Sequence, residues 1–508
     1  MRSAKYPDNL AAMAFHLAPD QLAGGAPVYL QIAAAIRAQV ESGALASGER
    51  LPTIRALAER LDVNRDTVAA AYESLAAAGI VAARVGRGTF VRGLRPRPRA
   101  AGPVVIPLSR HAERLLELDR ARVAYGAGRG AIPLNALMPD PRHFPLDGFR
   151  RSLARVLQDG GAELLTYGDQ QGYLGLREVL AERLRAQGLL VGPESIVLCQ
   201  GASQGIALSL RLFVDADAAI AVEEPTYPNA LAAIAASGLR AVPVPMRAGG
   251  ADLDALDHAL ARPEVRALYT IPTFHNPMGV TTTLEHRREL LAIAARHGKA
   301  VIEDNYEMDL RYAGRAVPTL AGLDEDGLVV QLLSFSKSLF PGVRAGAVVA
   351  RGRHVTALLA LRHAADLGGA LPLQAALADF MHSGAYDRHL AAQRRRLRAR
   401  RDALLESLAR ELPEGTSWIT PEGGLQLWLE LPEPLDSREV HADALREGVL
   451  VAPGFQFLCD GRPSRGLRLS IGQADEAALR EAVRRLGKVV RERLAAEPAR
   501  GGHASIQV

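Results

Sequence analysis

Ser334-Phe335-Ser336-Lys337-Ser338-Leu339-Phe340-Pro341-Gly342-Val343-Arg344-Ala345-Gly346 is the stretch on which the reading of this 508-residue chain turns. It follows an apolar, β-branched run, residues 328–333, that reads as a buried strand. A lysine just past such a strand stands where open α/β sheets place their ligands. Hydroxyls of Ser334, Ser336 and Ser338 surround Lys337, and Arg344 follows a Pro-Gly turn. A nearby cation lowers a lysine's pKa, as imine formation requires. Hydroxyls with an arginine suit a phosphate. Together they point to a lysine that forms an imine with a phosphorylated aldehyde, pyridoxal phosphate. Alone, the pattern also describes an ordinary surface lysine after a strand, so its partners elsewhere must decide.

Such a cofactor needs a buried carboxylate to keep its pyridine nitrogen protonated. Asp304 ends the apolar run 300–303, and Tyr306 lies two residues on, projecting to the same side of an extended chain. Tyr306 and the amide of Asn276 suit the ring hydroxyl. The phosphate needs a helix N-terminus and hydroxyls. Gln200-Gly201-Ala202-Ser203-Gln204-Gly205 follows the strand-like run 195–199 and opens an apolar helix. Singly, each could be a strand-end acid, a cap or a turn; in this order, each after a strand, they converge on one site. Apolar runs at 195–199, 219–222, 241–244, 267–271, 300–303, 328–333 and 345–350 alternate with Ala/Leu-rich helices. This is the βαβ pattern of a mostly parallel sheet with helices on both faces, followed after about residue 400 by a smaller α/β piece.

The length predicts two or three domains. No apolar run reaches the roughly 18 residues that span a bilayer, and residues 1–8 carry no signal-peptide core. Two cysteines, Cys199 and Cys459, make neither a disulfide framework nor a zinc site. A cytoplasmic protein without membrane or metal is expected. The net charge is +5, and residues 1–100 carry all of it: 13 Lys and Arg against 8 Asp and Glu, with 48 of each sign in the remainder. A polyanion partner belongs to the N-terminal segment.

After a loose lead-in, residues 1–25, Tyr29, Ile32, Ile36 and Val40 share one helical face. Thr53 can cap a short helix, residues 54–61, and a turn at 62–64 leads to a second, from Arg65 to about Gly79. Two short helices joined by a tight turn form a helix-turn-helix, whose second helix presents Asn64, Arg65, Asp66 and Thr67 to a major groove. Residues 80–91 read as a hairpin with Gly86-Arg87-Gly88 at its tip, a wing for phosphate or the minor groove. Residues 94–130 read as a linker with one helix within 109–125; Arg95-Pro96-Arg97-Pro98-Arg99 in it is extended and semi-rigid.

From Pro27 to Val91 the chain resembles the GntR winged helix-turn-helix, through Gly48-Glu49-Arg50-Leu51-Pro52-Thr53-Ile54-Arg55, Asn64-Arg65-Asp66-Thr67-Val68 and Gly86-Arg87-Gly88-Thr89-Phe90-Val91. The resemblance implies that Arg50, Thr53, Arg55, Arg65, Thr67 and Arg87 contact double-stranded DNA. Residues 131–490 resemble a fold-type I, class I/II aminotransferase: Glu224-Pro225-Thr226-Tyr227, Asn276-Pro277-x-Gly279, Glu303-Asp304-x-Tyr306, the Lys337 stretch and Leu467-Arg468-Leu469-Ser470 all match. By that resemblance Lys337 holds pyridoxal phosphate as an aldimine, and Asp304 pairs with the ring nitrogen. Asn276 and Tyr306 bind the ring hydroxyl. Ala202, Ser203, Gln204, Ser334, Ser336 and Arg344 hold phosphate, and Tyr227 stacks on the ring. Tyr167 reaches the phosphate of a neighbouring subunit in a head-to-tail, domain-swapped homodimer. Arg468 clamps an amino acid's carboxylate.

A winged helix fused to such a domain is the plan of the MocR subfamily. The expected organisation is therefore 1–25 lead-in, 26–93 DNA-binding head, 94–130 linker, 131–495 aminotransferase-like domain and 496–508 tail. The resemblance implies a regulator that binds an operator and senses pyridoxal phosphate itself, γ-aminobutyrate, taurine or another amine. The alternative is an aminotransferase tethered to DNA. Leu137 stands where many such enzymes have glycine, which narrows the pocket, whereas Asn276-Pro277-Met278-Gly279 looks enzyme-like.

Overall fold

The computed structural model describes residues 17, 26–84, 86–92, 106–121 and 130–501. The expectations for Val85 at the wing tip, for 93–105 with its Arg-Pro repeat, and for 122–129 lie outside them. The chain divides into two compact units, Met1–Pro107 and Leu108–Val508.

In the first unit the expected face of helix Val28–Glu41 buries Ile32, Ile36 and Val40. Helices Ile54–Leu61 and Arg65–Ala77 follow. Asp62 takes left-handed backbone between them (φ 52°), and Thr53 and Asn64 cap their N-termini. The buried Tyr72 hydroxyl donates to the Pro52 carbonyl at 2.8 Å, tying the second helix to the start of the first. Strands β1 (Val81–Arg84) and β2 (Gly88–Val91) pair antiparallel as the wing. Leu17, inside the stretch expected to be loose, is buried in this core.

The second unit is built on an eight-stranded sheet. In chain order, after the short β3 (Ile132–Pro133), its strands are β4 (Ile196–Cys199), β5 (Ala219–Glu224), β6 (Arg240–Arg247), β7 (Gly250–Ala251), β8 (Val265–Thr270), β9 (Ala300–Asn305), β10 (Val329–Ser334) and β11 (Gly346–Val349). They lie in the order β4-β11-β10-β9-β8-β5-β6-β7. Neighbours from β10 to β6 are parallel; β11 runs antiparallel to both β10 and β4, and β7 antiparallel to β6. Every residue of β4, β5 and β11 is buried, as expected where helices cover both faces. The carboxyl ends of β4, β5, β8, β9 and β10 therefore open on one rim. Register aligns Ser334 with Gly346, and Gly346 with Cys199, across three strands. A Cβ at Gly346 would stand 2.7 Å from the Leu333 carbonyl and 3.0 Å from the Gly201 backbone, so only glycine lets these segments close up.

A smaller antiparallel sheet holds Ser417–Trp418, Gln426–Glu430, Gly466–Ser470 and Ala452–Pro453 in that order. Beside it, β3 pairs with Val449–Leu450. The expected linker helix is Arg110–Ala121; it lies within the second unit and packs on helix Pro228–Ala236. The last helix, Glu476–Gly501, continues past the expected tail boundary at 495, because Arg491 to Ala496 are strong helix formers.

Candidate cofactor and effector site

A pocket of about 550 Å³ opens at the rim where the parallel strands end. Ala202, Ser203, Tyr227, Asn276, Asp304, Tyr306, Ser334, Ser336, Lys337, Arg344 and Arg468 all line it. Gln204 does not. Its side chain accepts the Gln200 N–H at 2.8 Å and donates to Asp366, so it braces the turn from behind. Tyr167 lies elsewhere, 83% exposed, in an open hollow with Leu165 and Leu367.

Asp304, 1% exposed at the end of β9, accepts the Tyr269 hydroxyl on Oδ2 at 2.7 Å, while Oδ1 has no protein partner. Burial pushes its carboxyl up to about 6, against the Tyr269 hydrogen bond. A buried carboxylate with one unsatisfied oxygen fits a pyridinium N–H. The Tyr306 hydroxyl receives a hydrogen bond from Gln426 Nε2 at 2.7 Å and donates to the Phe274 carbonyl at 3.2 Å. Burial raises its pKa, so it stays a donor. Arg468 Nη1 donates to Asn276 Oδ1 at 3.1 Å, which leaves the Asn276 amide nitrogen as the donor for a ring oxygen. The Tyr227 ring lies parallel to that of Tyr306, with centroids 6.5 Å apart.

Three segments build an anion cradle. Helix Ala202–Phe213 begins after Gly201, whose φ of +85° suits glycine, and aims its N-terminus at the pocket with Ser203. Ser334 and Ser336 contribute hydroxyls from the far side. The Arg344 guanidinium, held by the Gln200 carbonyl at 2.7 Å, would lie 3.3 Å from a Cβ on Gly201. Arg344 itself is left-handed (φ 46°), which turns its side chain back over the turn.

Lys337 Nζ donates to the Leu137 carbonyl at 2.5 Å. Burial lowers its pKa; Arg468 and Arg344 push the same way, and Glu307 opposes them. Lowering its pKa raises the share of free base that imine chemistry needs. Arg468, 2% exposed, donates to the Asn135 carbonyl at 2.6 Å and lies over the Phe457 ring, yet its buried Nε has no partner. That spare donor suits a carboxylate. The segment carrying Asn135 and Leu137 is anchored by Asp140, which pairs with buried Arg400 at 2.9 Å. Leu137 lines the pocket.

Residues 139–486 match the family described as aminotransferase class I and II, and residues 28–91 match the bacterial regulatory proteins of the gntR family. The chain is 33% identical to the uncharacterized HTH-type transcriptional regulator YdcR of Escherichia coli, over 92% of this chain and 99% of that protein. It is 29% identical to the probable rhizopine catabolism regulatory protein MocR of Rhizobium meliloti, over 91% and 93%. The chain belongs to the MocR subfamily of GntR regulators. In this subfamily chain, the second unit also superposes on the α-aminoadipate aminotransferase LysN of Thermus thermophilus, crystallised with N-(5'-phosphopyridoxyl)-L-leucine. The TM-score is 0.67 at 31% identity, covering 76% of this chain and 96% of LysN. The MocR plan thus joins a DNA-binding head to a fold-type I domain whose cofactor is pyridoxal phosphate, and the donor set fits that group.

On the head, Arg50, Thr53, Arg55, Asn64, Arg65 and Arg87 are exposed, and Thr67 is half-buried. Thr53 and Asn64 also have structural work: their side-chain oxygens accept the N–H groups of Ala56 and Asp66 at 3.2 and 3.1 Å. Arg50 lies against the wing at Gly88. Arg84, which sequence reasoning passed over, sits above the Phe90 ring at 5.2 Å and adds a cation to the wing. Behind the pocket lining it also missed Tyr269 and Gln426, which hydrogen-bond Asp304 and Tyr306, and Glu307. Of these only Glu307 carried a signal, as an acid directly after Tyr306.

Proposed function

We propose that this MocR-type chain binds operator DNA through its winged head and senses pyridoxal phosphate, or an amine or amino acid that reacts with it, at Lys337. Its place of action is the cytoplasm. The observation that carries this reading is the docking of helix Arg110–Ala121, from the segment that follows the head, on helix Pro228–Ala236. That second helix begins directly after Tyr227, a lining residue of the pocket. A ligand that shifts Tyr227 therefore moves the seat of the connecting helix, and it biases DNA binding if it prefers one arrangement. When bound, the cofactor supplies the aldehyde and an electron-accepting ring. Ser203 and Arg344 would seat its phosphate, the partnerless Oδ1 of Asp304 would accept its ring N–H, and Arg468 would offer a carboxylate site.

Tyr167, exposed beside Leu165 and Leu367, supports a homodimer in which this face meets a second copy. Sedimentation should return a dimer that Tyr167→Ala weakens.

The test is a spectral titration of the cofactor-loaded protein with candidate amines, run beside operator binding. A ligand that shifts both supports sensing; amines that change the spectrum and leave operator affinity unmoved overturn it. The second reading, an aminotransferase, is favoured by the complete donor set around Lys337 and Arg468. Steady-state rates of about 1–1000 per second with an amino acid and a 2-oxo acid would establish it.

A further inference from the structure

Helix Ala385–Glu411 buries a stripe that includes Tyr386, Leu390, Gln393, Leu397, Arg400 and Leu404. Its polar members Tyr386, Gln393 and Arg400 stand seven residues apart, so they share one face at intervals of about 10 Å along the axis. Each grips a segment that places Lys337. Gln393 Nε2 donates to the Lys337 carbonyl at 2.9 Å. The Tyr386 hydroxyl lies 2.8 Å from both Ser338 Oγ and Asp309 Oδ2. Its one proton goes to the carboxylate, which only accepts, so the Ser338 hydroxyl donates to Tyr386. Arg400 bonds Asp140, which anchors the segment whose Leu137 carbonyl receives Lys337 Nζ. One helix face therefore fixes both the main chain of the lysine and the acceptor of its amine.

The far end of this chain of bonds is also held. The Arg183 guanidinium lies 3.8 Å from Asp309 and 4.9 Å from the centre of the Tyr386 ring, and Arg394 Nε donates to the Asp309 carbonyl at 2.7 Å. Tyr386 and Ser338 are buried, and so is Gln393, whose Oε1 has no protein partner. Leucines on this stripe would pack without the cost of burying polar groups. What the polar residues add is their bonds to Lys337 and Ser338. Neither Tyr386 nor Gln393 lines the pocket, so they act on its chemistry through the lysine.

We propose that Tyr386 and Gln393 are positioning residues that hold the Lys337–Ser338 main chain so that the lysine amine meets a bound aldehyde. The inference rests on Lys337 as the lysine that captures pyridoxal phosphate. Capture exchanges the aldehyde oxygen for the lysine nitrogen and releases water, and it needs no further reactant. A displaced amine weakens that step and leaves the binding of ring and phosphate alone.

Full-length, cofactor-free protein is titrated with pyridoxal phosphate and, separately, with pyridoxamine phosphate, which carries an amine in place of the aldehyde. The ratio of the two affinities reports capture by the lysine. Gln393→Met and Tyr386→Phe nearly keep the size and remove the hydrogen-bonding group. In each, pyridoxal phosphate should bind about 3- to 10-fold more weakly, and pyridoxamine phosphate within about twofold of wild type. The two sites are two helical turns apart, and either variant that folds gives the answer. An unchanged ratio overturns the proposal, and so does an equal loss of both ligands, which marks general damage to the fold. Borohydride treatment of the loaded wild type separates the two failures. With no adduct on Lys337 the cofactor reading falls and takes this proposal with it; with an adduct and an unchanged ratio, this proposal falls alone.

Discussion

Tyr269 gives its hydroxyl proton to Oδ2 of Asp304 at 2.7 Å, and this bond leaves Oδ1 as the unsatisfied oxygen of the pair. The tyrosine thus orients the carboxylate and favours its charged form. Charge-assisted hydrogen bonds contribute about 1.5–3 kcal/mol and neutral ones about 0.5–1.5. Asp304→Asn should therefore weaken pyridoxal phosphate binding by roughly 10- to 150-fold, and Tyr269→Phe by about 3- to 10-fold, in absorbance titrations of cofactor-free protein. The pH sign follows from burial. With its pKa at about 6 in the fold and about 3.9 in the unfolded chain, Asp304 holds a proton that the unfolded state has lost. Its contribution to stability is complete below about pH 4 and lost as pH rises through 6. Asp304→Asn should flatten that part of the melting-temperature profile.

Lys337→Ala removes the amine while leaving in place Ser203, Ser334, Ser336 and Arg344, the phosphate seat proposed above. Borohydride reduction of wild-type protein should fix the cofactor covalently on the Lys337 peptide, and the variant should carry none by mass spectrometry. An adduct on another lysine would displace Lys337 from its role.

The sheet was legible because most of its strands, β6 excepted, are buried on both faces, so their apolar runs stand out without help from periodicity. Lys337, Asp304 and Ser203 were legible because each stands at or within a few residues past the end of a strand, where a polar residue after an apolar run is conspicuous. Tyr269 was not, since an aromatic inside Ala267-Leu268-Tyr269-Thr270 looks like core; only the pairing of β8 with β9 brings it to Asp304. Gln426 was hidden likewise, reaching Tyr306 from the smaller sheet across a separation of 120 residues. Gln204 belongs to the same turn as Ser203, and its side chain bonds Asp366 rather than lining the pocket.

On the head, Arg65 opens the second helix of the motif from an exposed position, next to the capping Asn64. If it contacts a base, Arg65→Ala should cost about 1–3 kcal/mol of operator binding with an unchanged melting temperature. Asn64→Ala should instead cost about 0.5–2 kcal/mol of head stability through loss of its cap to Asp66. Gel shifts and thermal melts on the two variants separate recognition from capping.

The Asp140–Arg400 pair fixes the segment that brings the Leu137 carbonyl to Lys337. Both partners are buried, and Arg400 also donates to the Gly472 carbonyl at 2.7 Å. Hydrogen bonds from Arg142 and Arg400 outweigh burial and hold the Asp140 carboxyl well below its usual range. Its stabilising effect is therefore present at neutral pH and lost only in strong acid. Arg400→Met removes one of the two arginines on Asp140, while Arg142 still pairs with it at 2.8 Å. It should lower stability by about 1.5–3 kcal/mol, read from denaturant unfolding.

The connecting helix offers the most direct test of coupling. Ala112 and Leu115 are its half-buried residues, one turn apart, and most of its other side chains are exposed. Next to this helix, Gly238 closes the turn after Pro228–Ala236, and a Cβ there would stand 3.0 Å from the His111 ring. Leu115→Glu puts a charge on the half-buried face without touching the pocket or the head. If the seat on Pro228–Ala236 carries the signal from Tyr227, the variant should bind cofactor and operator as wild type does when each is measured alone. The ligand-dependent shift in operator affinity, about 5- to 150-fold for ordinary coupling energies, should disappear. An effector response that survives Leu115→Glu at full size would mean that the signal leaves the pocket by another route.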